Sequence, residues 1–226
     1  MAPGQWWERR EWRRHENMEY LRVEKGKRAV RGFPLEGKLK KISDRQLQEH
    51  RDTLYKGYVN KINEIDDKLS KVEAAGNGTY SDYRELKIEE IFATNGVSLH
   101  EGYFENLGGS GGQPTGKIAE LIKRDFGSFD NFVKDLKAAG TSARGWVVTA
   151  YNFLDGRLHN YVCERHDIGG VWWAWPLLIM DVYEHAYFID YGVKRADYLQ
   201  AFADNIDWAA VNRRMDDLKK LPSQLP

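Results

Sequence analysis

The apolar residues of this chain change their spacing once and then change it back, and that switch restricts the fold more than any other feature. Leu47, His50, Leu54, Tyr58 and Ile62 recur at three- and four-residue intervals behind a capping box at Ser43-Asp44-Arg45-Gln46. That spacing predicts a long helix ending near Val72. Gly76-Asn77-Gly78 breaks the pattern before a second helical run through Tyr83, Leu86, Ile88, Ile91 and Phe92. Two helices joined by a short glycine turn predict an antiparallel hairpin. Helical spacing returns at Ile118, Leu121, Ile122 and Phe126 and again at Phe129, Phe132, Val133 and Leu136. From Gly145 the period shortens. Trp146 to Tyr151, Leu158 to Cys163 and Trp175 to Met180 are β-type runs separated by Asp155-Gly156 and Gly169-Gly170, which predicts three antiparallel strands. Residues 184–204 and 207–218 are helical in pattern once more.

The expected class is therefore α+β: an N-terminal α-helical hairpin followed by an α/β domain with a three-stranded antiparallel sheet. The glycine-rich stretch Gly108-Gly109-Ser110-Gly111-Gly112-Gln113-Pro114 marks the boundary, giving a basic arm at 1–40, a hairpin domain at 41–108 and an α/β domain at 109–226. The arm holds eleven Lys/Arg against six Glu, and its polar, weakly periodic character places it outside the core. The whole chain carries 34 basic and 34 acidic residues, so no polyanionic partner is implied. No apolar run approaches the roughly 20 residues of a membrane helix. A single cysteine, Cys163, excludes an intrachain disulfide, and a reducing cytoplasm is the expected location. Asn77-Gly78-Thr79 reads as a turn rather than a glycosylation site.

Of six histidines, His15 lies in the charged arm and His159 beside Asp155-Gly156, both suited to solvated positions. His50 stands on an otherwise apolar helix stripe and His100 follows the second helical run, and each alone reads equally well as a buried histidine bonded to a carbonyl. Asp181 and His185 say more. Asp181 ends the apolar run Leu177-Leu178-Ile179-Met180, where a carboxylate is costly unless paired or bound to metal. Three neutral imidazoles and a carboxylate suit iron, manganese or zinc, and spacing alone does not choose among them.

The segment Asp181-Val182-Tyr183-Glu184-His185-Ala186-Tyr187 resembles the DVWEHAYY signature of the iron/manganese superoxide dismutases. Gly112-Gln113-Pro114-Thr115-Gly116 and Asp125-Phe126-Gly127-Ser128-Phe129 are similar to that family's GGEPTG and DFGSF segments, and Arg195-Ala196-Asp197-Tyr198 and Asn205-Ile206-Asp207-Trp208 to its RPDY and NxxNW stretches. The likeness covers residues 42–215. It implies one iron or manganese ion per subunit, held by His50, His100, Asp181 and His185. It also implies a homodimer or homotetramer in which Glu184 bonds across the interface to the partner's ligand histidine, with Trp146 and Tyr183 in the wall around the metal. The implied antioxidant reaction turns one superoxide into oxygen and a second into hydrogen peroxide with uptake of two protons, Tyr58 and His166 helping to deliver them.

Several positions depart from the family pattern. The glutamine usually found near the metal is replaced by Gly96 at one of its two possible sources and by His166 at the other, a histidine resembling some archaeal and metal-tolerant members. A loop pairing of His166 with Asp167 is the competing reading. Leu54 stands where many members have a gateway histidine and Phe188 where its tyrosine partner would be, so two hydrogen-bonding groups are exchanged together for apolar ones. The alternative function is a metal-binding protein of this fold with little or no dismutase activity. Trp6, Trp7 and Trp12 among arginines allow a nucleic-acid contact, but a solvated or subunit-wrapping arm explains the same charges, and no nucleic-acid or membrane partner is expected.

Overall fold

The computed structural model describes residues 27–218, so the arm's tryptophans and His15 lie outside the described residues. The first helix, α1 (Asp44–Gln48), starts where Ser43 Oγ accepts from the Gln46 amide. Gln46 does not close the capping box. Its side chain donates to the His185 carbonyl at 2.6 Å and accepts from the Ile189 amide at 3.1 Å, tying the start of the hairpin to the far end of the chain.

The helix then widens into a π-helical stretch, Glu49–Tyr55, before continuing as α2 (Lys56–Leu69). Here the structure corrects the expected stripe. Leu54 is only half-buried, and the residue turned fully inward after His50 is Tyr55. Bonding from i to i+5 brings residues five apart onto one face, which a regular α-helix does not. A turn at 70–81 includes Asn77, whose Oδ1 accepts from both the amide and the hydroxyl of Thr79, the turn read from the sequence. The second arm of the hairpin, α3 (Asp82–Glu105), is capped by Ser81 and runs past His100, which is thus inside the helix rather than after it.

The α/β part contains α4 (Gly116–Phe126), α5 (Phe129–Ser142), strands β1 (Trp146–Asn152), β2 (Arg157–Cys163) and β3 (Ala174–Asp181), then α6 (Phe188–Tyr191), α7 (Arg195–Asp204) and α8 (Trp208–Leu218). The sheet is antiparallel in the order β2-β1-β3, with the central strand buried from Trp146 to Ala150. Its register sets Trp146 opposite both Cys163 and Asp181, so one end of the sheet presents an indole beside a carboxylate.

The glycine-rich stretch before α4 packs closely on the residues after α7. Gly109 and Gly111 donate to the carbonyls of Asn205 and Ile206, and a Cβ on Gly109 would fall 2.3 Å from the Ile206 oxygen. The end of the expected arm is not outside the core: Phe33 and Leu35 are buried in it. Phe33 packs edge-on against Tyr55 and tilted against Phe104, so its apolar surface is covered by both helices of the hairpin. Arg31 beside it pairs with Glu101 and Glu105 of α3. Inside, Arg214 donates to Asn106, to the carbonyls of Leu177 and Gly102 at 2.8 Å each, and to Glu105 at 2.9 Å, joining α8, β3 and α3 through one buried guanidinium.

Candidate metal centre

Four elements from three distant stretches of the sequence bring His50, His100, Asp181 and His185 together, with one potential ligand atom from each lying within 4.8 Å of the others. His50 comes from the π-helical turn, His100 from α3, Asp181 from the last position of β3, and His185 from the 3-10 turn Glu184–Ala186. The strand places Asp181 and the chain fixes it. Its Oδ1 accepts from the Tyr183 amide at 2.9 Å, and its carbonyl accepts from the Tyr198 hydroxyl at 2.6 Å. Tyr198 belongs to the segment Arg195-Ala196-Asp197-Tyr198, and no local signal in the sequence announces its contact with Asp181, 17 positions earlier.

The Oδ2 atom of Asp181 lies 3.1 Å from His50 Nε2, 3.2 Å from His185 Nε2 and 3.7 Å from His100 Nε2. His100 is the most informative of the three. Its Nδ1 is 2.6 Å from the Gly96 carbonyl, which only accepts, so Nδ1 carries the hydrogen and Nε2 is a bare lone pair. That lone pair is buried and has no hydrogen-bond partner among the described residues. Burial pushes the pKa of His50 down and that of His100 well down, so both are neutral near pH 7. Burial alone would raise Asp181, but His185 and His50 outweigh it and hold the carboxyl below the usual range.

A cation fits these groups. Nitrogen and oxygen ligands at about 2.1 Å from a metal lie about 3.0 Å apart when they subtend a right angle and about 3.6 Å apart at 120°, and the three distances from Asp181 Oδ2 to the imidazoles, 3.1, 3.2 and 3.7 Å, are of that size. An unpartnered lone pair facing a carboxylate is unfavourable without a cation between them and favourable with one.

Around the four groups stands an aromatic wall. The Tyr58 ring is 5.3 Å from His100 and lies perpendicular to His166 at 4.8 Å. Trp146, fully buried, sits edge-on to His100 at 4.9 Å, and Tyr183 stacks on His185 at 5.2 Å. His166 is buried, and burial brings its pKa down to about 4. Its Nδ1 accepts from Trp146 Nε1 at 2.8 Å, while Asp167 pairs instead with Arg165, so the proposed loop pairing with Asp167 is not found. His159 bonds Asp155 on the surface, as its sequence neighbours indicated. Leu54 is half-buried, Phe188 is 49% exposed, and Glu184 is exposed, its carbonyl accepting from the Tyr187 amide while its carboxylate makes no hydrogen bond among the described residues.

Residues 114–214 match the family described as iron/manganese superoxide dismutases, C-terminal domain. The chain is 41% identical over 187 residues to "Superoxide dismutase [Fe]" of Aquifex aeolicus, covering 80% of this chain and 88% of that one. It is 37% identical over 182 residues to "Superoxide dismutase [Fe]" of Methanothermobacter marburgensis, covering 78% and 89%. It is 35% identical over 168 residues to "Superoxide dismutase [Mn] 2" of Haloferax volcanii, covering 74% and 83%. With the three-stranded sheet, the helices before it and a buried three-histidine, one-aspartate cluster, these likenesses place the chain in the iron/manganese superoxide dismutase family.

Proposed function

We propose that this protein converts two superoxide ions and two protons into oxygen and hydrogen peroxide at one iron or manganese ion per subunit, held by His50, His100, Asp181 and His185. The observation that carries this is the lone pair of His100 Nε2, buried and without a donor beside the Asp181 carboxylate. The metal supplies reversible one-electron exchange with superoxide when bound. Asp181 offsets part of the cation's charge, and the bond from His100 Nδ1 to the Gly96 carbonyl holds that imidazole with Nε2 free for the ion. Tyr58 and His166, perpendicular to one another beside His100, are the groups that hold protons next to the cluster, and Trp146 and Tyr183 keep bulk water from the ligands.

The site is built where the hairpin part, 41–108, meets the α/β part, 109–226. A homodimer belongs to the same proposal: Phe188 and Ile189 are exposed apolar residues close to Glu184, whose carboxylate is unengaged among the described residues. The cytoplasm is the proposed compartment, supported by the single buried thiol, and no helix among the described residues is long and apolar enough to cross a membrane. Elemental analysis followed by a cytochrome c competition assay on iron- and manganese-loaded protein tests the proposal. A loaded protein with no dismutase activity overturns it in favour of a metal-binding member of the fold.

A further inference from the structure

His50 and His100 ride on long helical segments and Asp181 ends a paired strand, whereas His185 stands in a three-residue 3-10 turn. In that turn Ala186 donates to the Tyr183 carbonyl and Tyr187 to that of Glu184, so the His185 carbonyl is used by neither bond. That carbonyl and the Ile189 amide are the i and i+4 groups that would bond each other if the turn ran into α6 as one α-helix. Gln46 stands between them. Its Nε2 donates to the His185 carbonyl at 2.6 Å, and its Oε1 accepts from the Ile189 amide at 3.1 Å. A carboxamide has a donor end and an acceptor end, so it matches both backbone groups at once. The helical ladder opens where such a side chain enters it. Gln46 is 1% exposed and lies one turn before His50, whose ring is 5.0 Å from that of His185. Two further ties run beside it: the Ser43 amide donates to Asp190 Oδ2 at 2.7 Å, and the Tyr191 hydroxyl donates to the Lys41 carbonyl.

We propose that Gln46 is a positioning residue acting through His185: its carboxamide, inserted between the His185 carbonyl and the Ile189 amide, holds the ligand turn open and in register with the helix that carries His50. Two imidazoles from opposite ends of the fold then meet the same carboxylate, Asp181 Oδ2, at 3.1 and 3.2 Å. Without the bridge the His185 carbonyl and the Ile189 amide are free to bond each other, which winds the turn into α6 and draws His185 away from Asp181. Packing alone does not supply this control, because an apolar side chain of the same length fills the space and leaves both backbone groups to find each other. The role given to Gln46 rests on the reading of the cluster as a metal site.

The test compares iron-loaded full-length protein with Gln46→Met and Gln46→Glu, both close to glutamine in length. Methionine removes both bonds, and glutamate keeps an acceptor for Ile189 but turns an oxygen towards the His185 carbonyl. Each variant should release iron to excess chelator about tenfold faster, the loss that follows when a group orienting a metal ligand is removed. Each should also change the rhombicity of the high-spin iron(III) electron paramagnetic resonance signal. Ile118→Val, a core truncation in α4, which packs on α5, α8 and β2, controls for general loosening and should leave that signal as it is. Release at the unmodified rate with an unchanged signal in both variants, or the same change in Ile118→Val, overturns the proposal. If neither variant folds, nitrogen-15 labelling of glutamine in the unmodified protein gives the reading. A bridged Gln46 Nε2–H exchanges with water more slowly than that of the exposed Gln113, and equal rates overturn the proposal. An unmodified protein that retains neither iron nor manganese ends the metal reading and this proposal with it, whereas a retained ion indifferent to Gln46 ends this proposal alone.

Discussion

The Tyr58 ring occupies the space that a side chain at position 96 would need: a Cβ on Gly96 falls 2.8 Å from Tyr58 Cδ1 and 2.9 Å from its Cγ. Gly96→Ala gains about 1 kcal/mol of helix preference and costs about 1–3 kcal/mol of overpacking, so thermal unfolding should shift little. Activity should fall several-fold, because the ring is pushed out of its place beside His100 and His166. Full activity in a variant whose Tyr58 has demonstrably moved removes Tyr58 from the reaction.

Chelation should lower stability and reloading should restore it. An ion present at a thousandfold excess over its dissociation constant adds about 4 kcal/mol to the folded state. In Asp181→Asn the carboxylate nearest all three Nε2 atoms is gone, so bound metal should fall more than tenfold and chelator should no longer change Tm. Scanning calorimetry with metal analysis reads both.

Acid should weaken the metal-free protein over a defined range. Burial lowers the pKa of His50 and His100, and that of His166 to about 4, whereas each is about 6.5 in an unfolded chain. As pH falls below about 6.5 the unfolded chain takes up protons that the folded one refuses, so stability is complete above that value and drains towards about pH 4. Asp181, held below the usual carboxyl range, stays ionised across this window and does not oppose the trend. The urea midpoint should decline through this range and decline less in His166→Gln. A flat midpoint contradicts the assignment.

Phe188→Asp should shift the protein towards monomer. Phe188 and Ile189 expose 49% and 44% of their surfaces in the isolated chain, and a charge at the centre of such a contact is unfavourable when buried. Light scattering across a concentration series measures it, and an unaltered mass shows that this face is not the interface.

Arg214→Met should cost about 3–5 kcal/mol, the range for removing one member of a buried charge network, because Glu105, Asn106 and the carbonyls of Gly102 and Leu177 each lose one donor together, although Glu105 keeps Arg31 and Gly102 keeps the Asn106 amide. Urea unfolding at neutral pH reads the loss. A midpoint close to that of the unmodified protein shows that methionine packing compensates.

The helical and strand periods, the capping serine at position 43 and the segment from Asp181 to Tyr187 were readable because each is a local signal. The strand ends lie within one residue of those expected, since β1 is paired on both sides and Gly145 and Asp155-Gly156 set its limits. The inward turn of Tyr55 was not readable, because nothing in the apolar spacing announces that i to i+5 bonding replaces i to i+4 over seven residues. Phe33 and Leu35 were misplaced for a related reason. A short apolar pair in a polar stretch has no period of its own, and its burial depends on Tyr55 and Phe104. The Trp146 bond to His166 and the network of Arg214 likewise join residues whose sequence separation hides them.

His50 and Asp181 touch across 131 positions of chain. During synthesis His50 is made long before Asp181 and His185 exist, and no fragment that stops short of residue 185 contains the set. Loading is thus a late event in the life of the polypeptide, and the ion that occupies each molecule reflects the cellular metal supply at that moment as well as the affinity of the pocket.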